Sequence, residues 1–200
     1  MKSGVLAFGD SITNGGGELQ WGVALQSWAM WMARGLGLPY SGYAIDGGTI
    51  DSVRDVEIPR FLRTPEAEAR FDVGCLYIGV NDVRSVDWDE SYFEPRYREA
   101  LEFVASRCER TLTSTIPLDL GRPRAGAKVE DANRLIELAA RDARAGERAS
   151  AGDHGANREG LGRRCDGATH LLTCSPAHLL TCSCPERPLS GSRMGRPRHH

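Results

Sequence analysis

The sequence lacks any apolar run of 18 or more among its 200 residues, so no membrane-spanning helix is expected. It also lacks an excess of positive charge: 25 Lys and Arg face 27 Asp and Glu, leaving no footprint for nucleic acid as the main partner. A signal-peptide core is missing too. The apolar run Val5-Leu6-Ala7-Phe8 is short and leads into Gly9-Asp10-Ser11 rather than a cleavage site, so a cytoplasmic chain is expected. There is no Gly-x-Gly-x-x-Gly and no Walker sequence, so no nucleotide or flavin cofactor is expected. The six cysteines form no Cys-x-x-Cys knuckle, which argues against a zinc site. Without a secretion signal, a disulfide framework is not expected either.

A further absence is local. Residues 146–200 contain no Val, Ile, Phe, Tyr or Trp, whereas residues 1–145 hold ten Val, seven Ile and every aromatic. Net charge changes from −5 before this boundary to +3 beyond it, and four of the six cysteines lie beyond it. Such a segment has little from which to build a strand. Its Arg, Gly, Ala, Pro, Ser, Cys and His are what out-of-frame reading of a GC-rich gene produces. The chain is therefore divided into an α/β domain over 1–145 and a tail of little regular structure over 146–200. Loss of the elements expected there would uncover Val129, Leu135 and Ile136.

What is present before the boundary alternates strand and helix. Residues 3–8 and 71–78 read as buried strands, 39–45 and 111–116 as weaker ones. Apolar residues at helical spacing mark 19–36, 49–63, 91–108 and the stretch from Val129 to Ala143. This β-α repetition implies a parallel sheet with helices on both faces. Ligands of such sheets sit beyond the carboxyl ends of the strands, which directs attention to the loops after Phe8, Ile45 and Ile78. Trp21, Trp28 and Trp31 fit an acyl pocket or, more simply, the core face of a helix.

Each loop carries a small or polar cluster. Gly9-Asp10-Ser11 can raise a serine hydroxyl and its own N–H at the top of the sheet, or can simply cap a helix. Gly47-Gly48 can bring an unobstructed N–H close to a ligand, or can be an ordinary turn. Asn81, in Gly79-Val80-Asn81-Asp82, offers an amide donor that does not titrate, or is a helix cap. Taken together, at intervals of roughly 35 residues, the three resemble the GDSL, or SGNH, hydrolases over about residues 3–145. That resemblance implies a flavodoxin-like three-layer α/β/α fold with a parallel sheet. It implies an esterase or lipase-like activity on small acyl esters, with no cofactor. Ser11 would be the nucleophile and, through its N–H, the first oxyanion donor. Gly47 would be the second and the Asn81 side chain the third. Gly48 is a substitute for Gly47, because the block usually has an Asn upstream where position 42 here is Gly.

The resemblance stops at the base. A serine nucleophile needs a proton acceptor, normally a carboxylate-oriented histidine, and the family carries both in an Asp-x-x-His element near its C-terminus. This chain has no Asp-x-x-His, and all five of its histidines lie beyond residue 153. The nearest substitute is Asp166-Gly-Ala-Thr-His170, one residue too long, 89 residues after Asn81. Asp166 and His170 are accordingly the candidate base pair, and weak or absent activity is expected. The alternative is a non-catalytic flavodoxin-like binding module.

Overall fold

A computed structural model describes residues 4–16, 27–118, 126–153 and 170–174. Five strands form one wholly parallel sheet: β1 (Val5–Gly9), β2 (Tyr40–Gly42), β3 (Phe71–Tyr77), β4 (Cys108–Ser114) and β5 (His170–Cys174). Their order is β2-β1-β3-β4-β5, the flavodoxin-like winding that the resemblance implied. The connecting helices are α1 (Ser11–Asn14), α2 (Trp28–Leu36), α3 (Ile50–Ser52), α4 (Ile58–Leu62), α5 (Val80–Arg84), α6 (Glu90–Arg107) and α7 (Gly126–Asp153). A π-helical turn, Val53–Glu57, joins α3 to α4, so 50–62 is one helical stretch with a widened centre.

β1 is apolar over Val5–Phe8 because both of its faces are covered. Val5, Leu6, Ala7 and Phe8 are all fully buried. The pleat sends Leu6 and Phe8 to one side, among Phe61, Tyr97, Leu101 and Ile136. Val5 and Ala7 face the other side, against Ala29 and Ala33 of α2. Small alanines on α2 let its backbone approach the sheet closely. On the opposite face, Phe8, Tyr43 and Phe61 meet with ring centroids 5.4–5.9 Å apart, a packed aromatic floor beneath the carboxyl end of β1.

One expectation needs correction. β4 starts three residues earlier than its apolar run suggested, at Cys108, because pairing with β3 carries exposed Glu109 and Arg110 into the ladder. Of the tail, residues 146–153 and 170–174 are described. α7 continues past residue 145 to Asp153. β5 then pairs in parallel with β4 from Arg110↔His170 to Ser114↔Cys174. Val129, Leu135 and Ile136 are buried against α6 and the sheet rather than uncovered. Residues 154–169 and 175–200 lie outside the described residues.

Candidate active site

The loops after β2, β1 and β3 leave the sheet side by side, because these strands are neighbours in the order β2-β1-β3. β1 lies at the point where the winding reverses, where open α/β sheets hold their ligands. The three sequence clusters are thus brought together.

In the first loop, Gly9 ends β1 with φ +147°, and a Cβ there would lie 2.2 Å from the Tyr77 carbonyl oxygen. Only glycine lets the chain turn while β1 stays against β3. Asp10 is the helix cap: fully buried, it accepts the Ile12 N–H at 2.9 Å. Ser11 is therefore not the cap but the first helical residue, whose N–H the helix itself does not use. It is only half-buried. The single turn closes at Gly15, whose N–H donates to the Ser11 carbonyl at 2.8 Å.

The second loop is held on both sides. Ile45 N–H donates to the Gly9 carbonyl at 3.0 Å, and Asn14 donates its side-chain amide to Asp46 at 3.1 Å. Gly48 N–H is committed to the turn, donating to the Ile45 carbonyl at 3.0 Å. Gly47 instead stands exposed in left-handed backbone (φ +69°). Of the two glycines, it is Gly47 that the turn leaves available. In the third loop, Asn81 Nδ2 donates to the Gly48 carbonyl at 2.8 Å, and Asp82 accepts the Ile50 N–H at 3.0 Å. Beside them lies an open hollow of about 390 Å³, lined by Thr49, Asp51, Asp82, Ser85, Trp88 and Tyr92.

Electrostatically, the loops rest on three carboxyl groups. Burial pushes Asp10 up to about 6, against the lowering effect of the Ile12 and Thr13 N–H groups and of Arg84. Burial likewise raises Asp82 to about 6, with Asp51 and Asp10 adding to it and the Ile50 N–H opposing. Glu57 rises furthest, to about 8, through burial first and the neighbouring Asp10 second. Its Oε2 accepts the Gly9 N–H at 2.9 Å. Sequence reasoning missed this residue, which lies inside a stretch that reads as ordinary helix. The π-helical turn ending at Glu57 gives no sequence signal.

The candidate base is not brought to the serine. His170 opens β5 level with Arg110, Val73 and Val5, at the amino ends of the strands, whereas Ser11 follows their carboxyl ends. From His170 to Gly9, the last residue of β1, the offset is about 13 Å along the strands and about 14 Å across them, from the standard rise and strand spacing. The register, fixed by pairing with β4, overrides the loop role expected for His170. Asp166 lies outside the described residues, as does Trp21. Trp28 packs against both core clusters, and Trp31 is half-exposed with the Arg34 guanidinium 4.9 Å from its ring centroid.

This arrangement has counterparts among solved structures. An acetyl xylan esterase variant from Geobacillus stearothermophilus superposes with a TM-score of 0.50 at 22% identity, over 70% of this chain and 73% of that one. A catalytic mutant of the same enzyme gives 0.51 at 22% identity, over 71% and 74%. A member of the lipolytic protein G-D-S-L family from Veillonella parvula gives 0.54 at 18% identity, over 69% and 72%. At these identities the likeness is one of fold. Comparison with curated proteins finds no match. The family model for GDSL-like lipases and acylhydrolases matches residues 7–168, most of the chain and all three site loops. The chain belongs to the GDSL-like lipase/acylhydrolase family.

Proposed function

We propose that this chain cleaves small acyl esters through Ser11, with the Ser11 N–H, the Gly47 N–H and the Asn81 side chain forming the oxyanion hole. The observation that carries this reading is the 2.8 Å bond from Asn81 Nδ2 to the Gly48 carbonyl. One hydrogen of the amide is used to hold the glycine loop, and the other is left to donate elsewhere. An amide fixed in this way costs little reorganisation when charge develops beside it, which is the condition for oxyanion stabilisation.

In the reaction, Ser11 Oγ attacks the ester carbonyl carbon and its proton passes to a base. The carbonyl electron pair moves onto oxygen, where the three donors receive it. Collapse expels the alcohol with a proton and leaves an acyl-serine, which water then hydrolyses. Since His170 stands at the far edge of the sheet, we propose slow turnover with solvent or a weak base receiving the serine proton.

Hydrolysis of p-nitrophenyl acetate tests the reading. Activity that Ser11→Ala abolishes, with an unchanged thermal midpoint, supports it. Saturable ester binding without any serine-dependent hydrolysis would instead favour the non-catalytic binding module.

A further inference from the structure

Glu57 has no assigned part in that chemistry, yet no carboxyl group in the described structure is more deeply involved with the site loops. Its side chain is fully buried. Oε2 accepts the Gly9 N–H at 2.9 Å, two residues before Ser11 in sequence. Oε1 has no donor partner among the described residues. Around the point where a Gly48 side chain would begin lie the Ile45 carbonyl oxygen at 2.8 Å, the Gly9 carbonyl oxygen at 3.3 Å and Glu57 Oε1 at 3.5 Å. A carboxyl group this deeply buried, with one oxygen lacking a donor, is favoured as the neutral acid over the carboxylate.

The backbone beneath is unusual in the same place. The helical stretch widens into a π-turn over Val53–Glu57, with Ile58 N–H donating to the Val53 carbonyl. Such turns insert one residue into a helix and re-aim the side chains that follow. Here the insertion ends on the residue that reaches under the glycine loop.

We propose that Glu57 is a positioning residue: as a neutral carboxylic acid packed beneath Gly48 it accepts the Gly9 N–H, fixing the turn that carries Ser11. The assignment rests on Ser11 as nucleophile for its catalytic consequence, but not for the protonation state of Glu57. The upward shift of Glu57 to about 8, caused first by burial and then by Asp10, agrees with a neutral acid at pH 7. The other charged groups in the cluster are Asp82 and Arg84 on α5 and Asp51 on α3. Arg84 acts on Asp10, and Asp51 acts on Asp82.

The test compares the full chain with Glu57→Gln and Glu57→Ala, reading p-nitrophenyl acetate hydrolysis and thermal midpoint from about pH 6 to about pH 9. Glutamine keeps a donor and an acceptor in the same place and cannot ionise. The wild-type kcat is expected to fall above about pH 8 with KM steady, while Glu57→Gln holds kcat within about threefold and shows no such fall. Glu57→Ala is expected to lower kcat about tenfold at every pH, through loss of serine positioning. The wild-type midpoint is expected to fall more steeply across this pH range than that of Glu57→Gln, which keeps only the fall due to the other buried groups. The same alkaline fall in Glu57→Gln, or parallel midpoint curves, would overturn the proposal. Absence of hydrolysis in every variant would sink the esterase reading, and the midpoint curves alone would then decide the state of Glu57.

Discussion

Asn133 holds Ile116 by both ends of its peptide groups: Oδ1 accepts the Ile116 N–H at 2.7 Å, and Nδ2 donates to the Ile116 carbonyl at 2.8 Å. A side-chain amide on α7 thus imitates an adjacent strand just beyond β4, where the sheet ladder has ended. Ile116 itself is buried, so neither backbone group has water as a substitute.

Asn133→Ala is therefore expected to destabilise the protein by about 2–3 kcal/mol, since it leaves two buried backbone groups unpaired. Asn133→Asp should restore only the bond from the Ile116 N–H. Urea denaturation of the three proteins measures both effects. A loss under about half a kcal/mol for the alanine variant would mean that water reaches Ile116.

Asn81→Ala should lower kcat by about 10²–10³, the usual effect of removing one oxyanion donor. KM should change little, because the interaction belongs to the transition state. The variant also frees the Gly48 carbonyl, so a modest fall in thermal midpoint accompanies it. A rise confined to KM would assign Asn81 to substrate binding alone.

Asp10 and Asp82 give stability a pH dependence of definite sign. Each carboxyl rises from 3.8 to about 6 on folding, so the native state binds protons more tightly than the unfolded chain. Their contribution is complete below about pH 4 and is lost as pH rises through about 6. Asp10→Asn keeps an oxygen for the Ile12 N–H but cannot ionise. Its thermal midpoint should fall less steeply than that of the wild type between about pH 4 and about pH 6. Identical slopes would show that Asp10 titrates normally.

His170→Ala should leave ester hydrolysis unchanged within about twofold, because the register of β5 sets the residue at the amino edge of the sheet. Loss of activity in this variant, with the thermal midpoint preserved, would place an imidazole at Ser11 after all. Steady-state kinetics at neutral pH decide between the two.

The legible parts of the fold were those whose own residues demand one environment. Val73, Cys75, Leu76 and Tyr77 are apolar without alternation, and a strand of that kind is stable only with cover on both faces. The placement of Ser11, Gly47 and Asn81 in neighbouring loops is legible because each follows a strand end, and parallel winding sends all such ends to one side. β5 was not legible: His-Leu-Leu-Thr-Cys has little strand preference of its own and is made a strand by the free edge of β4. For the same reason His170 read as a loop residue. Glu57 was invisible because a glutamate on an amphipathic helix ordinarily faces water, and one extra residue in a helical turn leaves no trace in spacing. The bond that distinguishes Gly47 from Gly48 is a matter of backbone hydrogen bonding, which two adjacent glycines do not encode.

The strand order also sets a timetable for assembly during synthesis. β1 finds both of its neighbours, β2 and β3, within the first 77 residues, and every loop of the site is complete by Asp82. The β1–β2 pairing spans one crossover and the β1–β3 pairing two, and the cost of closing a loop grows only slowly with its length. As the chain leaves the ribosome, the serine turn, glycine loop and asparagine can be gathered before β4 and β5 exist. The later strands then extend a sheet whose candidate site loops are already in place. An error late in translation would fall on the far edge of the sheet first and on Ser11 last.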